Sequence, residues 1–249
     1  MGMTESYYYQ DVQVDYAQVD SKRTMRPSSL VDALQSLAVK HSDAIGYDLD
    51  YFEREHMGWM LTNWHIRVSR WPGEGESLRI STWCDQHGRV RADRDFRVVD
   101  KEGGTVCYAS SIWVNIDTER RRPNRPSADF LDPYIFPKPL PLAKEDYAMP
   151  ALPAREPDAV METMVTRRDT DTNGHTNNAV YIDWATDTLS DAFYDGHTLS
   201  DMVVAYKKEC RRGDRVRIAS WREGTTILSQ FTALDDPACV FGIMSMTWK

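Results

Sequence analysis

Gly75-Glu76-Ser77-Leu78-Arg79-Ile80-Ser81-Thr82-Trp83 lines up with Gly213-Asp214-Arg215-Val216-Arg217-Ile218-Ala219-Ser220-Trp221. Both runs open on a turn signal, place an apolar residue at every second position and close on tryptophan. That reads as a hairpin turn followed by a half-buried strand. Occurring twice in one chain, the pattern predicts duplication of one module. Working outward, each copy follows a strand candidate (residues 59–68 and 202–210) and, before that, a helical pattern. Two further strand-like runs follow each copy, 89–100 and 105–116 in the first half and 225–234 and 239–248 in the second.

The helices come from spacing. Between residues 28 and 45, Leu30, Val31, Leu34, Leu37, Ala38 and Ile45 recur close to a 3.6-residue period. Ser29 and Asp32 suggest a capping box there. In the second half Val180, Tyr181, Trp184, Ala185, Thr188, Leu189 and Ala192 form a similar stripe, with Asn177 or Asn178 as the expected N-cap. Along residues 89–99 the strand alternates Val90, Ala92, Arg94, Phe96 and Val98 with Arg89, Arg91, Asp93, Asp95 and Arg97, the second set predicting a solvent face. Each half thus reads as a strand, a long helix and four antiparallel strands. The expected fold class is α+β, two tandem hotdog units, each an antiparallel sheet wrapped around a central helix. Element order alone leaves other α+β folds open. Pro133, Pro137, Pro139, Pro141, Pro150, Pro153 and Pro157 lack a sustained period between them and predict an extended linker. The expected division is an N-terminal unit 1–132, a linker 133–157 and a C-terminal unit 158–249.

Composition bounds the function. With 41% hydrophobic and 27% charged residues, the chain has the make-up of an ordinary globular protein. No apolar run approaches the roughly 18 residues of a membrane span, and the first residues read neither as a secretory signal nor as an Arg- and Ser-rich transit peptide. Cys84, Cys107, Cys210 and Cys239 are scattered without a C-x-x-C pair, which fits a reducing cytosol, so a cytoplasmic setting is expected. A net charge of −8 argues against a general nucleic-acid binder. The basic cluster Arg120, Arg121, Arg122 and Arg125 reads either as a solvated loop or as a docking patch for an acidic partner.

Just before the second helical stripe stands Asp169-Thr170-Asp171-Thr172-Asn173-Gly174-His175-Thr176-Asn177-Asn178. Asp171 or His175 has the chemistry to take a proton from an attacking water, and Asn173 to orient either one. Backbone N–H groups at a helix start would suit the oxyanion of an attacked carbonyl. The bland alternative is an Asx turn with a solvated histidine. The corresponding run in the first half, Ser21-Lys22-Arg23-Thr24-Met25-Arg26-Pro27-Ser28-Ser29, has no Asp, Asn or His at matching places. Capping therefore does not demand the constellation, and one active site, in the C-terminal half, is expected.

Asp-x-Asn-x-His-x-Asn-Asn followed by x-x-Tyr-x-x-Trp, from Asp171 to Trp184, resembles the signature of the acyl-acyl carrier protein thioesterases of plants and bacteria. Tyr206-Lys207-Lys208-Glu209-Cys210 is similar to that family's second motif, and Trp59-Met60-Leu61-Thr62, Trp113-Val114-Asn115 and Arg120-Arg121-Arg122-Pro123 also follow its pattern. The resemblance implies hydrolysis of the thioester between a fatty acyl chain and the phosphopantetheine arm of acyl carrier protein, with no metal and no cofactor. It also implies that the N-terminal unit shapes the acyl pocket, and the acidic carrier is expected to meet either Arg120, Arg121, Arg122 and Arg125 or Arg211 and Arg212. Catalytic roles carry over to Asp171, Asn173, His175, Glu209 and Cys210, either with the cysteine as nucleophile or with water attacking directly. Strand alternation through residue 210 would set Glu209 and Cys210 on opposite faces, and apart from Arg211 no cation adjoins Cys210 in sequence. Direct water attack is the expected scheme. An acyl-CoA thioesterase of the same fold, a non-catalytic acyl-thioester binder and a hotdog hydratase are the rivals. A monomer and a homodimer both fit a fused pair of units. The other histidines read as structural, His41 as a cation at a helix C-terminus.

Overall fold

In a computed structural model of the chain, residues 2–4, 7–88, 90–136 and 147–249 are described, with the backbone alone for 2–4 and 85–87. Arg89 and the linker prolines Pro137, Pro139 and Pro141 lie outside the described residues. The chain divides into two compact units, residues 1–25 with 32–146 and residues 26–31 with 147–249.

The first unit runs β1 (Gly2–Thr4), β2 (Tyr7–Gln13), α1 (Pro27–Ala44, its residues up to Val31 counted with the second unit), α2 (Leu49–Arg54), β3 (Met57–Val68), β4 (Ser77–His87), β5 (Arg91–Asp100), β6 (Thr105–Asp117), the short β7 (Arg122–Pro123) and α3 (Ala128–Leu131). Its strands lie in the order β1-β2-β4-β5-β6-β3, all antiparallel, with β7 added to β6. The second unit repeats the plan with β8 (Ala159–Met164), α4 (Val180–Thr186), α5 (Asp191–Gly196), β9 (Leu199–Tyr206), β10 (Arg215–Glu223), β11 (Thr226–Ala233) and β12 (Asp236–Trp248), ordered β9-β12-β11-β10-β8. Both units are α+β, as the element order predicts. Register shifts at Cys84/Gln86, Leu61/Asn63 and Phe231/Thr232 mark the bulges that bend such a sheet.

Several boundaries differ from the sequence reading. Helix α1 begins at Pro27, whose fixed φ and missing N–H suit a first helical position, so Ser29 lies inside the helix and is no cap. The single stripe expected from Val180 to Ala192 is two short helices. The Thr188 hydroxyl donates to the Ala185 carbonyl at 2.7 Å, and the Ser190 hydroxyl accepts from the Phe193 N–H at 3.3 Å to start α5. Hydroxyl side chains here compete with the helical ladder and then restart it. Tyr181 seats α4 on the sheet through Phe231 and Tyr206, with ring centroids 5.1 and 5.4 Å away. Pro133, placed in the expected linker, sits in the 3-10 turn Asp132–Tyr134, and Tyr134 is buried.

The expected solvent face of β5 is also corrected. Asp93 and Asp95 are buried, Asp95 accepting from the Ser110 hydroxyl at 2.6 Å and Asp93 pairing with Arg91 at 2.7 Å. On the opposite face the buried Arg94 donates to Thr82 Oγ1 at 3.1 Å and meets His41 Nδ1 at 2.9 Å. A guanidinium has donors only, so His41 Nδ1 is the acceptor and the imidazole is neutral. His41 is fully buried, and burial, with Arg94 adding, pushes its pKa down to about 3. Desolvation outweighs the helix dipole, and His41 is not the C-terminal cation expected from its position.

His41 gives the fold a pH dependence. Its folded pKa lies below the unfolded value, so its stabilisation is complete above about pH 6.5 and is lost as pH falls toward 3. Between roughly pH 6.5 and pH 5 the loss from this group should reach about 2 kcal/mol. Urea midpoints for wild type and His41→Gln, taken on both sides of that window, should diverge accordingly. Identical pH slopes in the two proteins would remove the assignment.

Candidate active site

The loop 171–177 is closed by its own backbone and one carboxylate. The Asp171 N–H donates to the His175 carbonyl at 2.8 Å and the Gly174 N–H to the Asp171 carbonyl at 3.1 Å. Asp171 Oδ1 accepts from the Asn173 N–H at 2.9 Å and the His175 N–H at 3.1 Å. Gly174 takes φ +73°, the left-handed region that such a tight return requires. The Thr176 N–H then donates to the Cys210 carbonyl at 2.7 Å, and His175 pairs with Arg211 in a one-residue antiparallel bridge. These bonds bring two segments far apart in sequence face to face.

The first unit builds the same loop. Asp20 Oδ1 accepts from the Lys22 N–H at 2.9 Å and the Thr24 N–H at 3.3 Å, and the Asp20 N–H donates to the Thr24 carbonyl at 3.0 Å. The Met25 N–H donates to the Pro72 carbonyl at 2.9 Å, and Thr24 bridges Gly73. Asp20 is therefore the counterpart of Asp171, one residue ahead of the run read as its match. This corrects the sequence reading in one respect, because the loop itself demands the aspartate. What separates the units is Asn173 for Lys22, His175 for Thr24, and Glu209-Cys210-Arg211 for Trp71-Pro72-Gly73. Extending the Gly75/Gly213 alignment four residues upstream would have exposed those last three pairs.

Strand β9 ends at Tyr206 and the chain bends at Lys208, so the alternation extrapolated to residue 210 does not apply. Glu209 and Cys210 nevertheless meet different surroundings. Glu209 Oε2 lies 3.4 Å from His175 Nε2 and 2.9 Å from Arg211 Nη2, and Arg211 Nη2 lies 3.3 Å from the same imidazole nitrogen. Asp171 and Asn173 are exposed beside this group, while His175 and Glu209 are partly covered. Asn173 Nδ2 is 3.4 Å from Asp171 Oδ2.

Cys210 is 1% exposed. Burial first, with the Asp214 charge adding, pushes its thiol up to about 11, against opposing contributions from Thr176 and Tyr181. A thiol held there is almost wholly protonated at neutral pH, which removes the activation a nucleophilic cysteine needs. The helix start also differs from expectation. Ala179 is the N-cap of α4, and its N–H and that of Val180 already donate to Asn177, at 3.0 Å to Oδ1 and 3.0 Å to the carbonyl. Those two donors are occupied, so the helix start is a weaker oxyanion site than its position suggests. Among the described residues no cluster of His, Cys, Asp and Glu has the make-up of a metal site.

Thiol labelling separates the cysteines. Cys239 is partly exposed, with Lys208 Nζ at 3.2 Å from its sulfur, whereas Cys84, Cys107 and Cys210 are buried. Iodoacetamide at neutral pH should label Cys239 in the folded protein and the other three only after denaturation. Rapid labelling of Cys210 in the native state would overturn its assignment as a protonated, packed thiol.

The family model described as the acyl-ACP thioesterase N-terminal domain matches residues 5–134, and the C-terminal domain model matches residues 154–235. The chain is 28% identical over 215 residues to the chloroplastic oleoyl-acyl carrier protein thioesterase 1 of Arabidopsis thaliana, covering 80% of this chain and 59% of the relative. It is 23% identical over 246 residues to the chloroplastic palmitoyl-acyl carrier protein thioesterase of Cuphea hookeriana, covering 94% and 56%. It thus spans less than two thirds of the length of these relatives. Among solved structures, an acyl-ACP thioesterase from Bacteroides thetaiotaomicron superposes with TM-score 0.88 at 22% identity, covering 99% of this chain and 100% of that one. The 12:0-ACP thioesterase from Umbellularia californica does so with TM-score 0.89 at 19% identity, covering 100% and 99%. These likenesses establish the double hotdog fold, and with both domain models matched in order the chain belongs to the acyl-ACP thioesterase family.

Proposed function

We propose that the second unit hydrolyses the thioester between a fatty acyl chain and the phosphopantetheine arm of acyl carrier protein, releasing a fatty acid and the carrier thiol. The observation that supports this is the convergence of Asn173, His175 and Glu209 at positions the first unit fills with Lys22, Thr24 and Trp71, in a chain of this family. His175 takes a proton from water as the water oxygen attacks the thioester carbon. Glu209, 3.4 Å from Nε2, stabilises the imidazolium that results. The proton then passes to the departing sulfur, so the carbon–sulfur bond breaks as a thiol leaves. Asp171 holds the loop with Oδ1, while Oδ2 accepts one Asn173 amide N–H at 3.4 Å and orients the water with its remaining lone pair; the second N–H of the exposed Asn173 amide is the donor for the carbonyl oxygen. Cys210 packs beneath the site and takes no part in bond making. The same reading needs neither metal nor cofactor.

The carrier is the acidic partner in this proposal, docking on Arg120, Arg121, Arg122 and Arg125, all of which are exposed around β7. Among the described residues no helix is long and apolar enough to cross a membrane. A cytoplasmic setting belongs to the same proposal.

Release of free thiol from acyl carrier protein and CoA thioesters of several chain lengths tests the reading, with the carrier thioesters expected to be the faster substrates. His175→Gln and Asp171→Asn should each lower kcat by about 100-fold or more. In the second variant the introduced amide oxygen can still accept the loop N–H groups, so the loss would report chemistry and not an opened loop. Cys210→Ala should retain turnover. A folded alanine variant without any activity would sink the direct-water scheme. Reversing the four arginine charges should raise KM for the carrier substrate far more than for a small acyl thioester, and equal effects would remove the docking surface.

A further inference from the structure

We propose that Lys208 is an acylation site of the second unit, loaded from an acyl thioester by way of the Cys239 thiol beside it. None of the residues assigned to hydrolysis takes part in this chemistry.

The backbone sets the two nucleophiles side by side. Beyond the end of β9 the Lys207 and Lys208 N–H groups both donate to the Phe241 carbonyl, at 2.8 and 3.2 Å. That ties the bend to β12 two residues after Cys239. Lys208 Nζ lies 3.2 Å from Cys239 Sγ and donates to it. The first unit makes the same tie, the Ser69 N–H donating to the Val106 carbonyl at 2.9 Å. The matching places there hold Arg70 and Gly104, and Arg70 pairs with Glu76 and Asp100. The fold therefore requires neither the amine nor the thiol, and the pair is an addition peculiar to the second unit.

Both groups line an open groove of about 550 Å³, with Lys207 and Asp236 as its other charged residues and Val240 and Ile243 on its apolar wall. That volume falls in the roughly 300–1,000 Å³ range of clefts that take small ligands. The two lysines are exposed and Cys239 is partly exposed, so a thioester reaches them from solvent. In the first step the Cys239 sulfur attacks the acyl carbonyl carbon, the donor's carbon–sulfur bond breaks, and the proton of the Cys239 thiol leaves with the donor thiol. In the second the Lys208 nitrogen attacks the same carbon, the bond to Cys239 breaks, and a proton passes from nitrogen to sulfur. An amide on Lys208 and a regenerated thiol remain, with nothing oxidised or reduced. The hydrogen bond to Cys239 is the largest cause holding the Lys208 ammonium above the usual lysine range, and the charge interaction with the same residue follows, with Asp236 and Asp214 adding. Acylation of the sulfur removes the first two of these, so the first step eases deprotonation of the amine for the second. Holding amine and thioester in contact makes that second step intramolecular, whereas a lysine without the thiol must meet the donor from solution.

The test is peptide mass spectrometry of the full chain after incubation with octanoyl-CoA, run in parallel on His175→Gln so that turnover of the donor does not limit the label. Hydroxylamine-resistant octanoyl groups should accumulate on Lys208 and exceed those on its neighbour Lys207 by about 10-fold or more. Cys239→Ala should bring Lys208 down to the level of Lys207. Lys208→Arg, which keeps the cation, should leave a hydroxylamine-labile octanoyl group on Cys239. Neither substitution falls in the core, because Lys208 is exposed and Cys239 partly so. Equal labelling of the two lysines in the wild type overturns the proposal, as does unchanged labelling of Lys208 in Cys239→Ala or no label on either lysine.

Discussion

One carboxylate oxygen organises the candidate site. Asp171 Oδ1 accepts two backbone N–H groups and so ties off a loop whose far end sits against residues 209–211. Every other feature of the site depends on that closure. It sets His175 opposite Arg211, directs the Thr176 N–H to the Cys210 carbonyl, and leaves the Asn173 amide and the imidazole as the groups that face outward.

Duplication shows how such a scaffold acquires chemistry. The first unit keeps the clamp with Asp20, the turn with Gly75 and Glu76, and the cross-bond to Pro72, yet uses the intervening positions for Trp71 and Gly73. Its unusual polar residues lie elsewhere, in the core, where Arg94, His41, Thr82 and Tyr134 meet between α1 and the sheet. The second unit keeps the shared frame and places ionisable groups on it. Charge in that unit is balanced locally. Glu209 stands between a histidine and an arginine, so neither the carboxylate nor the imidazole depends on bulk solvent alone. The thiol one residue on belongs to the core and is governed by burial.

Much of this was legible in the sequence. Period-two alternation after Gly75 and Gly213 located β4 and β10, and the repeat around them gave the tandem architecture, because strand pleating and turn chemistry are local and leave a direct mark on residue order. The stripe from Leu30 to Ala38 located α1 for the same reason. The dense run from Asp171 to Asn178 identified the candidate site. Less was legible wherever a side chain competed with the backbone. Thr188 and Ser190 broke one helix into two, and Asn177 took the donors that the helix start was expected to offer.

The sequence by itself determined the duplicated α+β plan, the family, and the asymmetry between a unit with Asn, His and Glu at the key positions and a unit without them. Tertiary structure decided what those residues meet. It alone revealed that Asp20 and Asp171 perform the same structural task and that Asp95 and Arg94 are both buried on opposite faces of one strand. It alone set Arg211 beside Glu209 and His175. The physical reason is range. Periodicity and capping act over a few residues, whereas burial and pairing of charge depend on which distant segments the loop closure and sheet register bring within about 3 Å.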